Sequence, residues 1–229
     1  MIFNAEMVRA ILDGRKTQTR RPVKPQPELT QKSGFSWNGV VYGAGSNDRE
    51  TNRNFAHVKC PFGKPGDRIW VRETFSCIGN EDGHPVDANG NLCSREDAQR
   101  IYRASAIQKP SNYGLWTSPD GFDFEGSWTP SIHMPRWASR ITLEITDVRV
   151  ELLHSISERN AVAEGIKTGR CGNETNWRDA FYVPGDNQPY FYAATAYGDL
   201  WSSIYGEESW AANPWVWVIE FKRVEGATL

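Results

Sequence analysis

The sequence predicts an α+β fold, a small mixed β-barrel with peripheral helices and long irregular insertions. Strand-type segments predominate, and no regular alternation of strand and helix indicates a parallel sheet. Residues 139–153 alternate apolar and polar side chains, and the phase of that alternation changes near Asp147. Such a change predicts a bulge or a sharp corner, which is how small barrels close.

Composition limits the classes of protein that the chain can belong to. Its 229 residues, 39% of them hydrophobic, suffice for a single domain spanning 1–229. The 26 basic and 28 acidic residues give a net charge of −2, which argues against coating nucleic acid through bulk charge. Four widely spaced cysteines and the absence of a signal-like start predict free thiols and a cytoplasmic location. No apolar run approaches the roughly 18 residues of a membrane span, so no membrane partner is expected.

The elements follow in order along the chain. Asn4 can cap a helix over 4–13, and residues 15–22 read as a short extended segment. Residues 64–67, Lys-Pro-Gly-Asp, predict a type II turn before a strand at 68–73. After the strand over 139–153, residues 155–158 predict the start of a helix that stops at Gly165. A helix is expected at 190–205. The last element is a strand at 215–221, which is apolar enough to be buried on both faces. Little regular structure is expected in insertions at about 24–62, 77–131 and 167–189, apart from a strand at 100–104.

The segment Arg15–Lys24 carries five cations and no acid. A solvated basic turn is the usual explanation for such a run. Crowded cations also lower one another's pKa, so that Lys16 could serve as a base and the hydroxyl of Thr19 as a nucleophile. Glu164, at the end of the short helix, is either a surface carboxylate or, if buried against Lys16, an acid–base residue.

Two further segments are candidates for ligand binding. Residues 132–140 combine arginine with tryptophan, which suits stacking on a base and contact with phosphate; alternatively, Met134 and Trp137 are core residues. Arg72 and Glu73 form either an internal ion pair or a pocket pair. The histidines and cysteines show no ligand spacing and no nucleotide-binding motif is present, so neither a metal nor a cofactor is predicted.

The order of these features resembles the ASCH domain family, whose members have a PUA-like β-barrel. The resemblance rests on Gly14-Arg15-Lys16-Thr17-x-Thr19-Arg20, the turn at 64–67, the strand at 142–146, the helix at 157–165 and the strand at 216–222. It is closest to a longer form often carried by bacteriophages and prophages, in which His133-Met134-Pro135-Arg136 is typical. The family is associated with RNA binding. One small bacterial branch hydrolyses the amide of N4-acetylcytidine with a lysine, a threonine and a glutamate, which correspond to Lys16, Thr19 and Glu164. Those enzymes are about half as long as this chain.

The leading functional hypothesis is a protein that binds a nucleoside or nucleic-acid base and acts as an amidohydrolase. Its partner would be a modified nucleoside or RNA/DNA. One alternative is a non-catalytic RNA- or nucleic-acid-binding module, and another is a metal-independent nuclease. The predicted substrate-binding residues are Arg15, Arg20, Arg21, Arg72, Glu73, His133, Met134, Arg136 and Trp137.

Overall fold

The computed structural model describes residues 1–29, 34–42 and 48–224. Its helices are α1 (Ala5–Leu12), α2 (Asp48–Lys59), α3 (Glu158–Ala163), α4 (Ala193–Tyr205) and α5 (Glu207–Ala211). Its strands are β1 (Gln18–Pro22), β2 (Glu28–Leu29), β3 (Phe35–Trp37), β4 (Val40–Tyr42), β5 (Arg68–Trp70), β6 (Phe75–Cys77), β7 (Arg100–Tyr102), β8 (Ile107–Gln108), β9 (Trp116–Thr117), β10 (Asp123–Phe124), β11 (Thr142–Leu152), β12 (Lys167–Cys171), β13 (Arg178–Tyr182), β14 (Pro189–Tyr190) and β15 (Trp215–Arg223). None of the helices in these ranges has the length and apolarity needed to cross a bilayer.

The structure contains both helices and strands, in agreement with the predicted α+β class. Its four-stranded sheet, with strand order β1-β15-β11-β5, curls into a half-barrel. The chain divides into two compact units. The first contains Met1–Arg9 and Trp70–Thr142, with Val224 at the end of the described chain. The second contains Leu143–Arg223 and the described part of Ala10–Ile69.

Strand β11 contains the predicted irregularity. Ile145 pairs with Phe221 and Asp147 pairs with Glu220, so Thr146 is an extra residue without a partner position on β15. This bulge exchanges the faces of the strand, because side chains alternate along a strand with a period of two. Val148 and Val150 are buried on one face, while Arg149 and Glu151 project to the other.

The register of the sheet in the second unit separates a charged face from an apolar face. Directly paired residues of neighbouring strands project to the same side. The charged face contains Gln18, Arg20, Arg149, Glu151 and Glu220. The apolar face contains Thr19, Val148, Val150, Trp217, Ile219 and Phe221, together with Arg21, which pairs with Trp217 near the end of β1.

Local signals set the ends of the short helices and turns as predicted. The Asn4 side chain accepts a hydrogen bond from the Met7 amide, and the Ser157 hydroxyl accepts one from the Asn160 amide. Gly165 has a φ of +107°, which ends α3 in a conformation that favours glycine. The turn at 64–67 closes with the Asp67 amide donating to the Lys64 carbonyl at 3.0 Å.

The expectation that the three insertions hold little regular structure is wrong, although the strand expected at 100–104 is present as β7. Residues 24–62 contain β2–β4 and α2, residues 77–131 contain β7–β10 with the end of β6, and residues 167–189 contain β12, β13 and the start of β14. The strands in these regions are two to five residues long, which is too short for hydrophobic periodicity to show. Residues 30–33 and 43–47 of the first insertion lie outside the described residues.

The first insertion supplies cover for the apolar face of the sheet in the second unit. Phe55 of α2 stacks on Trp217 of β15, with ring centroids 5.3 Å apart and planes 12° apart. Phe35 and Trp37 of β3 each meet Phe55 edge to face. This insertion is therefore part of the hydrophobic core rather than an added surface loop.

Truncating Phe55 tests that role. We expect Phe55→Ala to lower the free energy of unfolding by about 3–5 kcal/mol, because a buried ring is lost from a packed cluster. Chemical denaturation of the full chain gives the value. Val58→Ala, on the same helix but with 75% of the residue exposed, is the matched control and should change stability little. Equal effects of the two substitutions would contradict the assignment of α2 to the core.

Candidate functional site

The side chain of Lys16 lies in the interior of the second unit, beside Glu164. Its Nζ donates to the Glu164 backbone carbonyl at 2.7 Å and to the carboxylate Oε2 at 2.9 Å. The Lys16 side chain is 0% exposed and that of Glu164 is 3% exposed. Glu164 follows α3 as its C-terminal cap residue, and Gly165 then turns the chain. Glu164 is thus a buried partner of Lys16 and not a surface carboxylate.

Burial lowers the pKa of Lys16 below its ordinary value of 10.5. The Glu164 carboxylate opposes this shift, and the Arg20 and Arg21 cations add to it. The same carboxylate acts on Tyr197 of α4, whose pKa lies well above 10, first because of burial and then because of Glu164. The lysine therefore loses its proton more readily than in water, while the tyrosine keeps its own.

Arg20 shares Glu164 with Lys16. Its Nη1 is 3.1 Å from Glu164 Oε1 and its Nη2 is 3.0 Å from Glu151 Oε2. Arg149 then joins Glu151, at 2.5 Å, to Glu220. The result is a chain of alternating charges, Lys16–Glu164–Arg20–Glu151–Arg149–Glu220, which we call the charge chain. It holds three cations and three carboxylates and runs from the interior to Glu220, which is 39% exposed.

Gln18 links two points of the charge chain. Its amide oxygen accepts from Arg149 Nη2 at 3.3 Å, and its amide nitrogen lies 3.5 Å from Glu164 Oε1. A guanidinium can only donate and a carboxylate can only accept. These two partners therefore fix the orientation of the Gln18 amide, with its oxygen towards Arg149 and its nitrogen towards Glu164.

A cavity of about 310 Å³ opens where the charge chain reaches the surface. Glu220, the outer end of the charge chain, lies in the wall of this cavity. Gln18, which is hydrogen-bonded to the charge chain, lies in the wall as well. Thr17 and three residues of α3 complete the wall: Arg159, Asn160 and Ala163. We call this cavity the polar pocket. Its volume is at the lower end of the roughly 300–1,000 Å³ typical of small-molecule sites.

The structure does not bring Thr19 to Lys16 and Glu164. Thr19 pairs with Ile219 of β15, whereas its neighbours Gln18 and Arg20 both reach Glu164. Alternation along β1 therefore directs Thr19 to the apolar face of the sheet. The threonine that lines the polar pocket is Thr17.

The remaining predicted residues of the basic segment contact the second unit near its surface. Arg15 donates to the Gly165 carbonyl at 3.3 Å and pairs with Asp13 at 3.0 Å. Arg21 donates to the hydroxyl of Tyr205 at 3.0 Å. Neither contact places these guanidiniums in the wall of the polar pocket.

The other predicted binding residues belong to the first unit. Met134 is buried with Phe75 and Ala138, and its sulfur receives the Glu73 amide at 3.2 Å, so it is a core residue. Glu73 is also buried, and it pairs with Arg140 at 2.9 and 3.0 Å rather than with Arg72. Glu73 is therefore one end of an internal ion pair.

Arginine and tryptophan do meet on the surface of the first unit. The guanidiniums of Arg72 and Arg136 lie 4.6 and 5.7 Å from the ring centroid of Trp70. Within the described part of the chain, neither of the two forms an ion pair. Trp137 is half-buried against Phe75, and His133 is exposed.

Sequence reasoning missed Gln18, Arg149, Glu151 and Glu220. Strand parity offered a signal for them, because Gln18 is two residues from Lys16 and the two β11 residues share the polar parity that follows Asp147. Glu220 was also visible as the acid in an otherwise apolar strand.

Comparisons of the chain with protein-family models, with curated proteins and with solved structures each found no match. Over the described residues, no group of three or more His, Cys, Asp or Glu side chains is placed to hold a metal ion.

Removing the charge of Glu164 tests the charge chain. We expect Glu164→Gln to lower the free energy of unfolding by about 3–5 kcal/mol, since it leaves two buried cations without their shared carboxylate. Urea denaturation at pH 7 measures the loss. The exposed Glu174→Gln is the matched control and should stay within about 0.5 kcal/mol of the parent chain. A loss at Glu164 no greater than that of the control would show that the charge chain does not hold the unit together.

Proposed function

We propose that the second unit binds a nucleoside or a nucleic-acid base in the polar pocket. The observation that carries this proposal is the wall of the pocket, where side chains able to hydrogen-bond the edge of a base stand together: Thr17, Gln18, Arg159, Asn160 and Glu220. In base recognition, glutamine and asparagine amides pair with donor–acceptor edges, and glutamate accepts from an exocyclic amino group. A guanidinium such as that of Arg159 can also stack on the plane of a base.

The charge chain supports recognition because it holds part of the wall in place before a ligand arrives. Gln18 is fastened at both ends of its amide, and Glu220 is held by Arg149. Fixed polar groups lose little conformational entropy on binding, which favours both affinity and selectivity. The PUA-like resemblance of the sequence points to the same class of ligand.

Amide hydrolysis is a second candidate activity, favoured by the buried Lys16–Glu164 pair. A lysine with a lowered pKa in contact with a carboxylate is a recognised arrangement for acid–base chemistry. In this scheme neutral Lys16 takes a hydroxyl proton, and the threonine oxygen attacks the acyl carbonyl. Protonated Lys16 passes that proton through Glu164 to the departing amino group, and water then releases the acyl group from the threonine as a free acid. The resemblance assigns the hydroxyl to Thr19, whereas the pocket wall favours Thr17.

Contact with a nucleic-acid strand is supported by a separate observation in the first unit. Two guanidiniums over the indole of Trp70 offer charge for phosphate and a surface for stacking. This surface, which includes Arg72 and Arg136, is a separate candidate contact for RNA or DNA within the first unit. Binding through it would weaken with salt by about one unit of logarithmic slope per phosphate contacted.

Calorimetric titration of the full chain with cytidine and with N4-acetylcytidine tests the pocket. We expect Asn160→Ala and Arg159→Ala to weaken binding roughly tenfold each, because each removes a group that meets the base. Arg178→Ala, an exposed arginine outside the pocket wall, should bind as the parent chain does. If neither nucleoside binds, or if the control loses as much affinity as the pocket variants, the proposal fails.

The pH profile of N4-acetylcytidine hydrolysis tests the second activity. With Lys16 as base, the rate should rise as pH increases through the lowered pKa of the amine and level off before pH 10.5. Lys16→Arg keeps the charge but cannot act as a base near neutrality, so it should bind the nucleoside without turning it over. Thr17→Val and Thr19→Val, assayed side by side, identify the nucleophile. Undiminished turnover by Lys16→Arg would eliminate this mechanism.

A further inference from the structure

A second cavity in the second unit shares no wall residue with the polar pocket. It is an open cavity of about 270 Å³ between α4, α5 and the turn that follows β11. Its chemistry comes from one carboxylate, one imidazole, two hydroxyls and one indole, contributed by Asp199, His154, Thr195, Ser202 and Trp210. We call it the α4 cavity.

Small residues on α4 make room for the cavity. Ala194, Gly198 and Ser202 recur at intervals of four and so lie on one side of the helix. The indole of Trp210 packs closely against this side of α4, since a Cβ at Gly198 would lie 3.0 Å from Cζ2 of Trp210. The indole thus has a fixed position in the wall.

His154 is held in one tautomer. Its Nε2 lies 2.8 Å from the backbone carbonyl oxygen of Trp210, and a carbonyl can only accept. Nε2 therefore carries the hydrogen, and Nδ1 of the neutral ring is an acceptor. The imidazole and indole centroids are 4.5 Å apart, so the two rings form one continuous part of the wall.

Asp199 supplies the negative charge. One of its oxygens accepts from the hydroxyl of Tyr190, and this bond raises the pKa of Tyr190 to about 12. Over the described residues, no lysine or arginine pairs with Asp199, and none lines the cavity. The carboxylate has a second oxygen with which to accept a hydrogen bond from a ligand.

We propose that the α4 cavity is a binding site for a small organic cation with a flat, delocalised charge, such as an amidinium or guanidinium. The acceptors of Asp199 and His154 match its N–H donors, and the indole of Trp210 favours a cation over a neutral group. The volume, slightly below the usual range for ligand sites, restricts the occupant to a small molecule or a single side chain. This site is independent of the nucleoside proposal.

Titration of the full chain with benzamidine and with benzamide, followed by ligand-observed NMR, tests the site. The two probes have nearly the same shape but differ in charge. We expect benzamidine to bind at least about tenfold more tightly than benzamide. Asp199→Asn should remove this preference, because it keeps the volume and takes away the charge. Asp179→Asn, an exposed aspartate outside the cavity, should leave it unchanged.

A second variant separates occupation of the cavity from a general attraction to the acidic surface. Ala194→Leu places bulk in the cavity without changing any charge, and it should abolish benzamidine binding. Thermal unfolding of each variant confirms that the chain still folds. Equal binding of the two probes, retention of the preference in Asp199→Asn, or binding by Ala194→Leu equal to that of the parent would each overturn the proposal.

Discussion

The carboxylate of Glu164 accepts from two cations in the interior of the second unit, and much of that unit depends on this arrangement. Removing Lys16 and Arg20 from water costs several kcal/mol per ion, which only a close, well-bonded anion can offset. The end of α3 must therefore lie against β1 in one position. The same requirement extends across three strands, up to the edge of the polar pocket, through Arg20 of β1, Arg149 and Glu151 of β11 and Glu220 of β15.

The two faces of the sheet in the second unit are stabilised by different interactions. On one face, alternating charges neutralise one another in sequence, with an amide from Gln18 joining the row. On the other face, aromatic rings exclude water, and the rings of α2 and β3 close over Trp217. The charge chain beside the polar pocket is an arrangement suited to selective binding, because the fold rather than the ligand holds the polar groups in position.

The long strands and the ends of helices were predictable from the sequence, because their signals are local. The phase change near Asp147, the cap at Ser157 and the stop at Gly165 each depend on a few adjacent residues. Most strands of the insertions were not predictable, since segments of two to five residues hold too few positions for a period to show; β7 is the exception. The residues themselves left Glu164 open between a surface carboxylate and a buried partner of Lys16, and the resemblance favoured the second. The placement of Thr19 could have been anticipated from strand parity, but the contacts of Gln18 with two distant strands could not.

The single unpaired residue at Thr146 makes β11 sensitive to length as well as to composition. Before it, Glu144 and Lys222 form an ion pair on the polar side of the sheet; after it, odd-numbered residues take that side. Deleting Thr146 itself would make Ile145 and Asp147 ordinary neighbours, still opposite Phe221 and Glu220, so the side chains that follow would keep their faces. Deleting Val148 instead would move Arg149 and Glu151 into the hydrocarbon interior. The strand can therefore lose a residue at the bulge but not beyond it.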